Sequence, residues 1–410
     1  MDEIFAAIDI GTSKTAVVIA EETDSGLSVR GFGIAPNDGV VRGIVVNIEK
    51  AEQGILRALS IAEKQAQLKV KHLIVSFGGN QTKVIKSHGV TTIPRERGKV
   101  TPTDVAKLIE TAKSVPLPKN AEIIDYAVND FIVDGARGII DPVGMATSRL
   151  EGNVLLFVAQ SAALHNLFRA LDDANIVPLN TVASPIAAAE AILTDEEKEL
   201  GAVLMDIGAG TTDIVIYKDN RPQLVTVIPY AGESVTHDLM VGLKLTRQAA
   251  EKVKQSFGCA VKDAVPEDET VEVMGIGGRE PRQIPKYFIA MIMEARLEEI
   301  FSMVREYIEE AGGKLDNEII PAGIVLVGGS TLTEQLVYLV ERVLNMPVRV
   351  GLPGDRTPVP DGMNTPDYHN AWGSALISAH RQRLKEQVEL EQGKLSALWN
   401  KIKRKVLKKL

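Results

Sequence analysis

Apolar positions along the chain switch between two periods, and the switches outline the elements. Residues 5–33 carry short apolar runs parted by turns, which predicts a three-stranded meander. Ala51, Ile55, Leu56, Ala58, Leu59, Ile61 and Ala62 then recur at helical spacing over residues 49–69, and Lys71–Phe77 reads as a β-branched buried strand. From Gly78 to Gly152 the texture changes. Strand-like runs at Lys83–Ile85, Ile123–Val128 and Phe131–Val133 flank one helix, capped by Thr101 or Thr103 with Pro102 near its start. Pro116, Pro118 and Pro142 punctuate this span, so it is expected to be a small inserted subdomain, with Val154–Ala159 re-entering the first lobe. A helix at 162–174 and a short strand at 176–180 follow.

The second half opens with Val182–Ile192, whose small residues permit close backbone packing and whose Pro185 suits a first helical turn. Ser184 lies there either as a packing residue or as a polar side chain at a cleft. Ala202–Asp213 is an apolar strand ending in Asp206, then a tight small-residue turn, and Ile214–Tyr217 completes a hairpin. A helix is expected from Gly232, another over 246–257, and a long amphipathic one over 289–311. Residues 260–285 are loop-rich, and their Gly275-Ile-Gly-Gly-Arg279 lacks the strand–helix crossover of a dinucleotide site. Ala322–Ser330 is a buried strand ending in paired glycines before a helix near Thr333, and Asn370–Leu376 begins a last helix on small residues.

Chemistry gathers at the hairpins. Gly208 and Gly210 let the chain curl so that backbone N–H groups face an anion, and Thr211 and Thr212 add hydroxyls. A carboxylate beside such a cradle calls for a cation, and Mg²⁺ is the usual one. The plan recurs at Phe5–Thr15, where Asp9 matches Asp206 and Gly11 matches Gly208 without a gap. Two related lobes facing one another would grip a triphosphate and its metal from both sides. Gly232 and Glu233 open a helix that either offers N–H groups to a phosphate or is simply capped there. The backbone at Gly328, Gly329 and Ser330 can approach a flat ligand such as adenosine.

Composition narrows the class. With 410 residues, 45% of them hydrophobic and 24% charged, the chain is a globular protein of at least two lobes. One cysteine, Cys259, forms no internal disulfide and fits a reducing compartment, and six scattered histidines give no ligand spacing. The acidic start argues against a signal peptide, and no apolar run is long enough to span a bilayer, so a cytoplasmic location is expected.

The end of the chain is different in kind. Residues 381–393 are polar and suit a linker. In 394–410, Leu395, Leu398, Trp399, Ile402, Val406 and Leu410 share one helical face, with Leu407 at its edge. Seven basic residues, Lys403 and Arg404 among them, cover the rest with no acid, so the remainder of the chain carries about −15 against a net of −8. This is the pattern of a helix lying on an anionic membrane, where each basic residue contributes about 1 kcal/mol. Regular leucine spacing has no role in nucleic-acid binding. Docking in a partner's groove is the competing reading.

The two hairpins, two small-residue connecting helices and the Val327-Gly-Gly-Ser330 turn, in this order, resemble the actin-like ATPases. Within that group the chain resembles the FtsA family of bacterial division actins, through Val227–Gly232, Gly277-Gly-Arg279 and the insertion after Phe77. The resemblance implies an α/β, two-lobed actin-like fold with duplicated nucleotide-binding domains. The first lobe would be 1–77 with 153–192 and 371–380, the inserted subdomain 78–152, the second lobe 193–370, the linker 381–393 and the membrane helix 394–410.

It also implies ATP and Mg²⁺, with Asp9 and Asp206 organising the metal and the attacking water. Gly11, Thr12, Ser13, Lys14, Gly208, Ala209, Gly210, Thr211 and Thr212 would hold phosphates, assisted by Gly232 and Glu233. Glu251 and Lys254 would meet ribose or adenine, and Gly328, Gly329 and Ser330 the base. Relatives place a Glu before the Pro of the connecting helix. This chain has Ser184, a poorer orienter of water, so slow hydrolysis at most is expected. The implied partners are the FtsZ C-terminal tail, with Arg296 at its docking site, further copies of the chain in a filament, later division proteins, and the cytoplasmic face of the membrane at the division site. A pilus-assembly actin of the PilM type and a small-molecule kinase are the alternatives. The first lacks an amphipathic anchor in its pattern, and the second needs a general base not evident here.

Overall fold

The computed structural model describes residues 3–273, 280–310, 313–316 and 318–386. The amphipathic segment 394–410, most of the linker and Gly275–Arg279 lie outside them. Among the described residues no helix is long and apolar enough to cross a membrane.

The first lobe begins with the expected meander, β1 (Ile4–Ile10), β2 (Lys14–Thr23) and β3 (Gly26–Pro36). A small hairpin, β4 (Val40–Val41) and β5 (Ile44–Val45), leads into α1 (Ile48–Ala66). The Asn47 side chain caps α1 by accepting from the Lys50 N–H at 3.0 Å. The helix buries Ala51, Ile55, Ala58 and Ala62 as the periodicity requires. β6 (His72–Phe77) returns parallel to β1, and β11 (Val177–Ala183) parallel to β6.

The inserted subdomain comprises β7 (Thr82–Thr92), α2 (Pro102–Lys113), β8 (Ala121–Val133), β9 (Ala136–Ile139) and β10 (Arg149–Gln160). Its sheet runs β7-β10-β8-β9 and has its own core under α2, around Leu108, Leu150 and Leu156. Thr101 and Asp104 close a capping box at the start of α2. Two boundaries differ from expectation. The runs 123–128 and 131–133 are one strand, because a single pairing with β10 carries through the break. Val154–Ala159 stays in the inserted subdomain's sheet, since β10 pairs with both β7 and β8 throughout, while its Leu155, Phe157 and Ala159 face packs into the first lobe's core.

After β10 come α3 (Ser161–Asp173), β11 and α4 (Ser184–Ile192). Val182 and Ala183 therefore end a strand rather than start the helix. The second lobe adds α5 (Asp195–Leu200) and a meander of β12 (Ala202–Ile207), β13 (Thr212–Lys218) and β14 (Arg221–Ile228). Next are α6 (Gly232–Gly242), α7 (Arg247–Phe257), the short pair β15 (Thr270–Val273) and β16 (Arg282–Pro285), and α8 (Lys286–Glu310). β17 (Ile324–Val327), α9 (Leu336–Leu344) and β18 (Val348–Val350) close the sheet. The paired glycines lead first into a 3₁₀ turn, Gly329–Leu332, so the helix expected near Thr333 begins only at Leu336.

The duplication read from the hairpins extends to topology. One sheet runs β3-β2-β1-β6-β11 and the other β14-β13-β12-β17-β18, each an antiparallel meander continued by two parallel strands. A helix at residues 369–386 crosses α4 between the lobes. A Cβ on Gly373 would lie 1.8 Å from the Ala187 carbonyl oxygen, so the two backbones touch where the alanine-rich sequence predicted a tight crossing.

Candidate functional site

Each hairpin turn is closed by the same bond. The Gly11 N–H donates to the Lys14 carbonyl at 2.9 Å, and the Gly208 N–H to the Thr211 carbonyl at 3.1 Å. Registers match as well, with Asp9 opposite Ala16 and Asp206 opposite Asp213. The turns face one another so closely that a Cβ on Gly210 would stand 2.7 Å from the Thr12 hydroxyl. Between them lies an inner chamber of about 100 Å³, lined by both turns, Asp9, Asp206, Ser184 and the Gly328–Gly329 pair. It leads to an outer cleft of about 1200 Å³ walled by Gly232, Glu233, Glu251, Lys254 and Ser330.

Asp206 is the best-held acid. His369 Nε2 lies 2.8 Å and the Asn370 amide 3.1 Å from Asp206 Oδ2. Burial pushes this carboxyl up, but His369, Asn370 and Lys14 together carry it below the ordinary carboxylate range. Burial would also lower the His369 imidazole, yet its contact with Asp206 raises it overall. Asp9 differs: burial and the nearby Asp206 charge raise it, and His369, Lys14 and Ser76 offset this only in part. Asp213, directly across from Asp206, is pushed up to about 8 by burial and then by that neighbour, and its Oδ1 has no partner.

Three acids thus converge on one chamber with an acceptor left over. Among the described residues no three metal-ligating side chains close on one point. A Mg²⁺ ion that keeps most of its ligands as water and phosphate oxygens fits such a place. Gly328 makes room for the Asp206 carboxylate from the neighbouring strand. Its φ is +89°, and a Cβ there would meet Asp206 Oδ1 at 2.4 Å.

Other residues singled out from sequence are placed with more qualification. Ser184 is buried at the chamber wall and shares a 2.9 Å hydroxyl contact with Ser76. Lys14 is ion-paired with Asp367 across the cleft mouth. Thr211 lines the chamber, but Thr212 does not: its hydroxyl is buried and donates to the Tyr230 carbonyl at 2.9 Å, bracing the hairpin. The first N–H groups of α6 are also occupied. Gly232 donates to the Gly208 carbonyl and Glu233 to that of Ala209, so this terminus supports the turn and offers no free donors to a phosphate. The Glu233 carboxylate pairs with Arg247. Glu251 and Lys254 form a 2.8 Å ion pair, and both reach the Thr236 hydroxyl. Ser330 donates to the Gly208 carbonyl at 3.0 Å, tying the glycine turn to the second hairpin.

Arg296 lies on α8, where it is held by Asp238 and Glu299. Sequence reasoning missed Asp213, His369, Asn370 and Asp367. The signal for Asp213 was present as an acid in one hairpin where its counterpart has alanine. The signal for His369 and Asn370 was a polar pair ahead of a small-residue helix.

Residues 203–373 match the family Cell division protein FtsA, and residues 79–158 match the SHS2 domain inserted in FtsA. The second match contains nearly all of β10, in agreement with its sheet. The cell division protein FtsA of Neisseria meningitidis is 35% identical over 90% of this chain and 88% of its own. That of Pseudomonas aeruginosa is 33% identical over 93% and 90%, and that of Bacillus subtilis 33% over 93% and 85%. Among solved structures, the PilM–PilN type IV pilus biogenesis complex aligns with a TM-score of 0.66 at 18% identity, covering 91% of this chain and 98% of that one. MreB5 of Spiroplasma citri bound to ADP aligns at 0.55 and 14% identity, covering 94% and 98%. These two show an actin-like fold.

Proposed function

From the premise that the chain belongs to the cell division protein FtsA family, we propose that it binds ATP with Mg²⁺ and assembles into filaments that tether the FtsZ ring to the inner face of the cytoplasmic membrane. The observation that carries the nucleotide part is the pair of facing hairpins, with Asp9 and Asp206 around one chamber that opens into a cleft roomy enough for a nucleoside. Bound Mg²⁺ would supply positive charge against the phosphates. The turn N–H groups and the Thr12, Ser13 and Thr211 hydroxyls supply donors, and Lys14 adds a cation once shared with Asp367. Glu251 and Lys254, paired on the wall of the outer cleft, would meet the ribose or adenine. Ser184 offers no base to orient water, so the nucleotide acts mainly as an assembly ligand with slow hydrolysis.

The segment 394–410 is proposed as the membrane anchor. The second lobe is proposed as the docking face for the FtsZ tail, with Arg296 organising Asp238 and Glu299 there. The deciding experiment is co-sedimentation with anionic liposomes in ATP and Mg²⁺, for the full chain and one ending at Gly393. Pelleting of the full chain alone, with filaments on the vesicles, supports the reading. Both forms staying in the supernatant with nucleotide bound overturns the anchor.

A further inference from the structure

The longest strand of the inserted subdomain touches both lobes. β8 breaks its pairing with β10 twice, leaving Ile124 and Asn129 as extra residues between paired neighbours. Such bulges bend a strand and re-aim its groups, and both of these meet another part of the chain. At the first, the Ile124 carbonyl accepts from the Thr181 hydroxyl of β11. Beside it, buried Asp125 accepts from the Ala183 N–H at 2.9 Å and from Arg381 of the 369–386 helix at 2.8 Å. The Tyr126 N–H, at 2.8 Å, is a third donor. At the second, the Asn129 amide donates to the Pro222 carbonyl at 2.8 Å and to the Gln223 side chain at 3.2 Å. Arg221 returns the contact, donating to the carbonyls of Asn129 at 3.2 Å and Gly138 at 2.7 Å.

The two joints are not equal. Asp125 is a buried carboxylate with a guanidinium and two amides against it, so its charge is met. Arg221 is a buried cation whose acceptors, among the described residues, are neutral carbonyls, and its Nε has no partner. A charge taken from water with a donor left over holds a joint less firmly than its bond count suggests. Its place also matters. β13 carries the chain from Thr212, beside the glycine turn, to Lys218 about 20 Å away, and Arg221 pairs with Lys218 there. Because a paired sheet moves as one body, a change in the angle between the lobes at the cleft shifts this joint too.

We infer that β8 is a strap between the lobes, fixed to the first at Asp125 and releasable from the second at Arg221, which ties the position of the inserted subdomain to the opening of the cleft. The strap is read from these contacts alone; that nucleotide is what closes the cleft rests on the nucleotide reading.

The test places spin labels on the full chain at Lys64→Cys on α1 and Ser256→Cys on α7, both exposed positions, with the chain's own Cys259 buried. Without nucleotide, Arg221→Met is expected to make the distribution of label distances about twice as wide, and Asn129→Ala to widen it less. Amide exchange at Ala183 stays as slow as in the parent. Unchanged widths in both variants overturn the strap. So does widening accompanied by fast exchange at Ala183, which means that the subdomain has left both lobes. Binding of ATP with Mg²⁺, followed by calorimetry, then tests the tie to the cleft. Amide exchange around Asn129 is expected to shift about tenfold on binding in the parent and to stay unmoved in Arg221→Met. No shift in the parent with ATP bound overturns the tie. If no ATP binds, the nucleotide reading fails instead, and the strap is decided by the label distances.

Discussion

The two hairpins share a backbone and differ in side chains. Both close on the same glycine-to-carbonyl bond, and both place an acid two residues before that glycine. The first then offers Lys14 at the fourth turn position and Ala16 opposite its acid; the second offers Thr211 and Asp213. Duplication therefore supplied a symmetric cradle, and substitution made it polar from one side to the other. The acids diverge accordingly. Asp206 is held ionised by His369 and Asn370 from the interlobe helix, whereas Asp9 lacks an equally close pair and is raised.

If that asymmetry governs metal-assisted binding, Asp206→Asn should lower Mg²⁺-dependent ATP affinity on the order of 100-fold and Asp9→Asn about tenfold. Affinity measured in chelator should move little in either variant. Equal losses would mean the hairpins contribute symmetrically. The crossing that delivers His369 to Asp206 can be broken separately. An alanine in a helix usually stabilises relative to glycine, but Gly373→Ala drives a methyl into the Ala187 carbonyl. A loss of about 3 kcal/mol in urea unfolding is expected, and an unchanged midpoint would remove the crossing from the account.

How much of this could be read from residues depends on range. The facing hairpin turns were legible because their residues are contiguous, and the lobes because the pattern occurs twice. The small-residue crossing was legible too, since alanine and glycine runs leave room for little else. Partners brought from far along the chain were not. His369 reaches Asp206, and Asp367 reaches Lys14, only after the second lobe has folded back. Thr212 failed for a local reason: the strand's pleat turns its hydroxyl toward Tyr230, while Thr211 next to it faces the chamber. The boundary inside β10 failed because an apolar run cannot reveal which sheet it joins.

Asp213 gives the second hairpin a titration near neutral pH, at a position that Ala16 fills in the first. Its unfolded carboxyl titrates near 3.8 and its folded one at about 8. Between those values the folded state keeps a proton that the unfolded state has released, so stability falls as pH rises through the window and levels off above it. Asp213→Asn removes that slope. In chelator and without nucleotide, the variant should be more stable than the parent by on the order of 2 kcal/mol at pH 8, and by much less at pH 5. Parallel stability profiles would show that this carboxyl is ionised in the fold.

The smallest effect lies where the lobes have no counterpart at all. Among the described residues only the second lobe carries a helix such as α7, which lines the outer cleft with Glu251 and Lys254. Burial raises the Glu251 carboxyl, but Lys254, Thr236 and Gln255 bring it below its usual range, so it is ionised at neutral pH and can accept from a ribose hydroxyl. Glu251→Gln keeps the shape and an acceptor oxygen while removing the charge. A loss of about 1 kcal/mol is expected, read as roughly fivefold weaker ATP binding. Inorganic triphosphate, which has no ribose, should bind the variant and the parent alike. A drop shared by both ligands would place Glu251 in the phosphate cradle, and the division of labour between a symmetric cradle and a one-sided nucleoside wall would fail.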